Sequence, residues 1–198
     1  MCAKRGVKIP WDFNRYFQIA EKGGTLIRDT LYAEFSELYA QEPNWAVLYE
    51  EKRKALYAIV EGEKAKLLPG VEHLLTVLAE RNIPRAIVTH SPRKLIEDFA
   101  LNLPILKTIS VWVCREDYKL PKPNPDGYLK ALELFHHPKR VLGFEDAVRG
   151  IEALQSAKIP AVLVGHKDSA TRAFWKSRGV IIIDRVDEIL GIKDLNER

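Results

Sequence analysis

Two adjacent carboxylates, Glu145 and Asp146, stand where a short apolar stretch gives way to a helical pattern. The apolar stretch, residues 140–144, predicts a strand, and residues 147–157 predict a helix directly behind the two acids. Open α/β sheets bind ligands beside the C-terminal ends of their strands. Anionic oxygens held there suit Mg²⁺, which takes one or two carboxylates together with water and phosphate oxygens. Asp146 could equally serve only as the N-cap of the helix.

Polar groups follow two other predicted strands in the same way. Residues 84–89 predict an apolar strand that ends in Thr89, and Ser91 lies just beyond it. Lys122 lies in a proline-rich turn after the extended stretch 105–113. A hydroxyl and an ammonium group can hold phosphate oxygens, and a metal on the two acids could bridge to the same phosphate. Each residue alone has an ordinary structural explanation, but three such strand ends in one sheet predict a site for a phosphate group.

The elements that must position these residues change in character near residue 67. Before it, apolar residues recur at helical spacing in segments that include Phe13, Leu31 and Trp45. After it, helices alternate with strands made of continuous runs of valine, isoleucine and leucine, which is typical of parallel sheets. We therefore predict a small helical domain over residues 1–66. Residues 67–198 predict an α/β core with a Rossmann-like parallel sheet and helices on both faces.

Composition and charge narrow the class of protein. The 198 residues are 46% hydrophobic and 29% charged, which is ordinary for a globular protein. The sequence shows neither an apolar run that could span a membrane nor an N-terminal secretory pattern, and Cys2 and Cys114 form no close pair. We expect a cytoplasmic monomer with reduced thiols and no membrane partner. The net charge of +4 comes without a nucleic-acid-binding motif and favours a small anionic ligand.

Three of these segments resemble motifs of the haloacid dehalogenase superfamily. Thr89 lies in Ile-Val-Thr-His-Ser, Lys122 opens Lys-Pro-Asn-Pro-Asp, and the acid pair lies in Gly-Phe-Glu-Asp-Ala-Val-Arg-Gly. The order of the motifs and the helical first third are similar to the capped phosphatases and phosphomutases of that superfamily, such as β-phosphoglucomutase and phosphoglycolate phosphatase. The resemblance implies that residues 1–66 are the helical cap domain of a hydrolase-type enzyme that acts on a small phosphorylated metabolite.

The resemblance also implies a role for each site residue. Thr89 would bind the transferring phosphoryl group, and Lys122 would stabilise its charge. Glu145 and Asp146 would position Mg²⁺, the cofactor that the resemblance implies.

Three further residues are candidates for holding the substrate. Ser91 and Arg93 resemble residues that help to hold phosphate between cap and core. Arg28 follows a stretch that resembles a cap loop and is a candidate for contacting the distal part of the substrate. Arg28 could equally be an ordinary surface residue.

One motif of the family has no counterpart in the sequence. Family members that catalyse phosphoryl transfer open with an apolar strand ending in Asp-x-Asp, whose first aspartate attacks phosphorus. The 198 residues contain no Asp-x-Asp, and covalent phosphoryl transfer needs a nucleophile. We therefore expect the chain as written to lack the first core strand and to be inactive. The strands that end near Thr89 and Gly143 should then carry unpaired backbone groups.

Two other functions are open at this point. A decayed member of the family could bind phosphorylated metabolites or a protein partner without catalysis. A receiver-type signalling domain also collects threonine, lysine and acids at the ends of its strands. Its acidic pair comes early in the chain, however, whereas Thr89 and Lys122 precede Glu145 here, so this second alternative is disfavoured.

Overall fold

The computed structural model describes residues 1–20, 24–61 and 66–192. The chain divides into two compact units, residues 1–64 and 65–198. The assignment of these parts as cap domain and core domain stays a prediction. No helix among the described residues is long and apolar enough to cross a membrane.

The first unit is helical. Its helices are α1 (Phe13–Ala20), α2 (Gly24–Glu34), α3 (Ser36–Gln41) and α4 (Trp45–Glu61), and a 3-10 helix, Cys2–Arg5, precedes them. The apolar positions of the helices meet in one cluster, in which Leu31, Leu38 and Leu48 are buried. Burying one leucine side chain contributes about 1.5–3 kcal/mol, so these contacts hold the short helices together.

The second unit alternates helices and strands. In chain order it contains α5 (Val71–Glu80), β1 (Ala86–Val88), α6 (Arg93–Asn102), β2 (Val111–Val113), α7 (Asp126–Leu134), β3 (Gly143–Glu145), α8 (Val148–Ser156), β4 (Ala161–Val164), α9 (Ser169–Lys176) and β5 (Ile181–Ile183), with 3-10 helices at Pro104–Thr108, Arg115–Asp117 and Val186–Gly191. The predicted α/β fold with parallel strands is confirmed.

The strands form two sheets. One is the parallel pair β1 and β2, and the other contains β3, β4 and β5 in that order, also parallel. Helices cover both faces of β4, since Ala161 and Leu163 belong to one apolar cluster and Val162 and Val164 to another. This alternation follows from the twofold period of a strand. It explains why β4 consists entirely of apolar residues.

The prediction of an extended stretch over 105–113 was wrong for its first half. Residues Pro104–Thr108 form a 3-10 helix, and the strand covers Val111–Val113 alone. Proline is favoured at the start of a helix because an N–H at that position has no helical acceptor, so the lack of an N–H in proline loses no hydrogen bond. The Thr108 hydroxyl donates to the carbonyl oxygen of Ile105 at 2.7 Å, which closes the short helix.

Candidate functional site

Lys122 joins the C-terminal ends of strands from the two sheets. Its ammonium group donates to the carbonyl oxygen of Val88, at the end of β1, at 3.0 Å. It also forms an ion pair with Glu145, the last residue of β3. The side chains of Lys122 and Glu145 are only 15% and 10% exposed. The two strand ends therefore meet at one buried charge pair.

Glu145 has a second partner on the neighbouring helix α7. The hydroxyl of Tyr128 donates to the same carboxylate oxygen that Lys122 contacts. Burial, followed by the charge of Glu145, raises the pKa of Tyr128 well above its usual range, so the phenol stays protonated as a donor. A Cβ atom at Gly150 would lie 2.1 Å from the other carboxylate oxygen. A glycine on α8 thus lets the helix pack directly on the Glu145 carboxylate.

Asp146 is in a different environment from its neighbour. It is exposed, and among the described residues it makes no hydrogen bond or ion pair. The alternative that Asp146 only caps the helix is wrong, because the N-cap of α8 is Ala147 and no side chain caps it. Asp146 is therefore an open carboxylate at the end of β3.

The acid pair was a candidate magnesium site. Within residues 1–20, 24–61 and 66–192, no group of three or more His, Cys, Asp or Glu side chains could hold a metal. Glu145 is engaged with Lys122, so Asp146 offers the accessible carboxylate of the pair. One open carboxylate fits Mg²⁺, which keeps several waters and completes its shell with substrate phosphate. Metal binding by Glu145 and Asp146 stays a prediction.

Thr89 and Ser91 lie together in a turn after β1. The Thr89 hydroxyl accepts a hydrogen bond from the Ser91 backbone N–H at 3.1 Å, and the Thr89 N–H donates to the Val113 carbonyl oxygen at 2.9 Å. The Ser91 carbonyl in turn accepts from the Arg115 N–H at 3.2 Å. Because the Thr89 hydroxyl acts here as an acceptor, its own proton is available for an anionic ligand.

Tyr118 supports this turn, and the sequence analysis missed it. Its hydroxyl donates to the Thr89 carbonyl oxygen at 3.1 Å and lies 3.2 Å from His90 Nδ1. Burial raises the pKa of Tyr118 to about 12, so the hydroxyl keeps its proton. A buried aromatic with a polar tip normally finds such a partner. The sequence signal was only a tyrosine in the loop before the proline-rich turn, which does not identify its partner.

His90 lies in an electropositive environment. Burial lowers its pKa first, and the nearby positive charges of Arg115, Arg149 and Lys122 lower it further. Both effects disfavour the protonated imidazole. The same positive potential would attract an anionic ligand to the ends of the strands.

The two candidate arginines contact acidic residues. Arg93 donates to Asp117 at 2.5 Å and to the Trp112 carbonyl oxygen at 3.2 Å, so its guanidinium ties α6 to the turn after β2. Arg28 belongs to α2 in the first unit and donates to Asp29 at 2.7 Å. The structure therefore brings Thr89, Ser91, Lys122 and the acid pair to the strand ends. The roles of Arg93 and Arg28 in binding substrate stay predictions.

Several known proteins with similar sequences are phosphatases. The chain is 26% identical over 160 residues to the chloroplastic 5-amino-6-(5-phospho-D-ribitylamino)uracil phosphatase of Arabidopsis thaliana, which covers 80% of this chain and 42% of that protein. It is 30% identical over 147 residues to a phosphorylated carbohydrates phosphatase of Thermotoga maritima, which covers 73% and 65%. The matched region thus spans about two fifths to two thirds of these curated relatives.

The fold is shared with a solved phosphomutase. The crystal structure of β-phosphoglucomutase from Clostridium difficile superposes with a TM-score of 0.67 at 22% identity, covering 94% of this chain and 81% of that one. A family model described as haloacid dehalogenase-like hydrolase matches residues 3–158. Because this match covers most of the chain and includes the three strand-end motifs, the chain belongs to the haloacid dehalogenase-like hydrolase family.

Proposed function

We propose that this protein is a Mg²⁺-dependent phosphatase or phosphomutase-type enzyme that acts on a small phosphate ester. The observation that carries the proposal is the position of Lys122, whose ammonium group is fixed by Glu145 and the Val88 carbonyl where β1 and β3 end. A preorganised cation beside hydroxyl donors stabilises the negative charge of a phosphoryl group more than mobile water does. The family relationship and the phosphatase relatives support the same reaction class.

Each strand end has a part in this proposal. The Thr89 hydroxyl and the Ser91 side chain would donate hydrogen bonds to phosphate oxygens, and Lys122 would offset their charge. Asp146 would hold Mg²⁺, with Glu145 fixing Lys122 beside it. When bound, Mg²⁺ neutralises phosphate charge and orients the ester. Arg93 and Arg28 would serve as substrate contacts only if each exchanged its present carboxylate partner for the ligand.

The second candidate function is ligand binding without catalysis at the same site. It is favoured by one feature of the sequence, since the 198 residues contain no Asp-x-Asp. Without a nucleophile, the residues at the strand ends can bind and polarise a phosphate ester but cannot form the covalent intermediate. We propose that these 198 residues by themselves bind phosphorylated metabolites without turning them over.

Phosphate binding tests the site directly. Titration of the chain with inorganic phosphate, followed by calorimetry with and without Mg²⁺, should show binding that Mg²⁺ strengthens. Asp146→Asn should remove the Mg²⁺ effect. Glu152→Gln, at an exposed acid on the following helix α8, should leave it intact. Phosphate binding that ignores both Mg²⁺ and Asp146→Asn would contradict the proposed site.

A second experiment separates the enzyme from the non-catalytic binder. The chain alone and the chain joined to an upstream segment that carries Asp-x-Asp are compared for release of phosphate from small phosphate esters. We expect turnover only with the added segment, and loss of that turnover in Asp146→Asn. No turnover in either form would favour the non-catalytic candidate, and turnover that is unaffected by Asp146→Asn would overturn the assignment of Asp146.

A further inference from the structure

Three groups surround the ammonium group of Lys122. Two of its N–H groups donate to the Val88 carbonyl oxygen, at 3.0 Å, and to Oε1 of Glu145. The ring of Tyr128 is the third group, with its centroid 5.0 Å from the lysine nitrogen. A lysine ammonium group has three donors, and the described residues give the third donor no acceptor. One N–H of Lys122 is therefore left for a ligand.

Tyr128 makes two different contacts with the Lys122–Glu145 pair. Its hydroxyl donates to the same Oε1 atom of Glu145 that accepts from Lys122, and the hydroxyl must be the donor because a carboxylate only accepts. The ring of the same side chain lies beside the ammonium group, and a cation is attracted to an aromatic ring at this distance. A movement of Lys122 away from the end of β3 would therefore weaken its contacts with both partners.

The first turn of α7 fixes the position of Tyr128. The Tyr128 N–H donates to the Pro125 carbonyl oxygen at 2.9 Å, and the residue is only 7% exposed. It belongs to the apolar cluster that also contains Ile151 and Leu154 of α8. A side chain that is packed in a core has few alternative rotamers. The hydroxyl and the ring of Tyr128 are therefore held in one place beside the charge pair.

Lys122 has less support along its own chain than Tyr128 has. It lies in the turn before α7, outside every helix and strand. A lysine side chain has many rotamers, and fixing it in one of them costs more conformational entropy than fixing most other side chains. The contacts at the tip of the side chain therefore decide where the ammonium group lies.

We propose that Tyr128 is a positioning residue for Lys122, whose hydroxyl and ring hold the ammonium group so that its third N–H stays available to a phosphate oxygen. Tyr128 acts through Glu145 and Lys122 and does not touch the phosphate itself. The rotamer freedom of Lys122 is then lost when the chain folds and not when the ligand binds, which strengthens ligand binding. The inference rests on the proposed function, because it takes Lys122 as the cation of the phosphate site.

Tyr128→Phe tests the hydroxyl, because phenylalanine keeps the ring beside Lys122 and removes the donor to Glu145. The affinity for inorganic phosphate, measured by calorimetry, should fall about tenfold, since hydrogen bonds to charged groups are the stronger ones. The matched control is Tyr32→Phe, which removes a hydroxyl that donates to the Glu42 carbonyl oxygen at 2.8 Å in the first unit. The control should leave the phosphate affinity unchanged. An equal fall in both variants, or no fall in Tyr128→Phe, would overturn the inference.

The NMR signal of the Lys122 ammonium group reports its position without any phosphate. The signal is identified by its loss from the ¹H–¹⁵N spectrum of Lys122→Arg. In the native chain, two hydrogen bonds and burial protect these protons from water. Tyr128→Phe should make their exchange with water at least about fivefold faster, whereas Tyr32→Phe should not change it. A general loss of stability would not act on this one signal alone.

The NMR measurement separates this inference from the proposed function. If the native chain binds no phosphate, the proposed function fails, and the exchange rate still shows whether Tyr128 positions Lys122. Exchange at Lys122 that is unchanged in Tyr128→Phe would refute the inference even where phosphate binds normally. Should Tyr128→Phe not fold, the native chain provides the test, because the Tyr128 hydroxyl proton should show a nuclear Overhauser effect to the Lys122 ammonium protons. Absence of that effect would contradict the positioning role.

Discussion

Strand β4 and strand β1 have similar apolar sequences but very different surroundings. β4 has a neighbour on each side and helices on both faces, and all four of its residues are buried. Among the described residues β1 has one neighbour, β2, and all three residues of β1 stay partly exposed. An apolar sequence therefore predicts a strand in both places, but burial depends on partners from elsewhere in the chain. The same difference separates β4 from the outer edge of β3.

The largest loss of stability should come from shortening a side chain in β4, the strand that has a neighbour on each side. Leu163→Ala in β4 should lower the free energy of unfolding by about 4 kcal/mol, because the site is fully buried between packed helices. Ile87→Ala in β1 should cost about half as much, since part of that side chain already contacts solvent. Urea unfolding of both variants measures the difference, and equal losses would show that β1 is as well covered as β4.

The second effect tests the charge pair that connects the two sheets. Lys122→Met removes the partner of a carboxylate that is only 10% exposed. The lone Glu145 charge should then lower the free energy of unfolding by about 3 kcal/mol. The matched control is Lys130→Met, whose pair with Glu133 is exposed and should contribute less than about 1 kcal/mol. Similar losses in the two variants would show that the Lys122–Glu145 pair contributes no more to stability than an exposed ion pair.

The third effect tests the contact between α8 and the end of β3. Gly150→Ala would place a Cβ atom 2.1 Å from the Glu145 carboxylate and displace it. We expect a loss of about 2 kcal/mol in unfolding free energy and weaker phosphate binding. Gly24→Ala is the control, because no atom of the described residues outside its own helix backbone and chain neighbours lies within 4 Å of the added Cβ, and alanine favours a helix. Unchanged phosphate binding in Gly150→Ala would show that the position of Glu145 does not matter for the site.

The smallest effect concerns pH. Burial and nearby positive charges lower the pKa of His90, so the unfolded chain binds a proton at this residue more readily than the folded chain. Stability should therefore fall as pH drops through the usual histidine pKa of about 6.5. His90→Gln should reduce this fall between pH 7.5 and 5.5, as measured by urea unfolding at each pH. Since other histidines titrate in the same range, NMR titration of the His90 ring provides the direct check, and a normal pKa there would contradict the electropositive environment.

The residues at the strand ends show how much of the candidate site could be predicted from sequence patterns. Thr89, Lys122 and Glu145 were predicted from polar residues that follow apolar strands, and the structure does place them at the strand ends. Hydrophobic periodicity shows where each strand ends. In a parallel sheet the residues that follow the strands lie at the same edge. Periodicity does not reveal in which direction the side chains after the strand point. Glu145 therefore faces Lys122 while Asp146 faces solvent, although the two are adjacent in sequence.

Residues whose role depends on a distant partner escaped the sequence analysis. Tyr118 contacts the turn at Thr89 and His90, which are 29 and 28 residues away in sequence. A phosphate-binding role for Arg93 stays a prediction, and the sequence analysis did not foresee the contact of its guanidinium with Asp117. Neither pairing leaves a local pattern, because hydrogen bonds between loops follow from the way the chain packs. Short-range spacing carries information only about neighbours on the same element.

The sequence by itself determined the family, the alternation of helices with apolar strands and the set of polar residues at the strand ends. These features are local, since they follow from the period of hydrophobic residues and from short motifs. Only the tertiary structure decided that the strands form two sheets, that Lys122 joins them, and that the outer edges of β1 and β3 have no strand partner among the described residues. Strand pairing is a contact between segments far apart in the chain, and its hydrogen bonds involve backbone groups that are nearly the same in every residue.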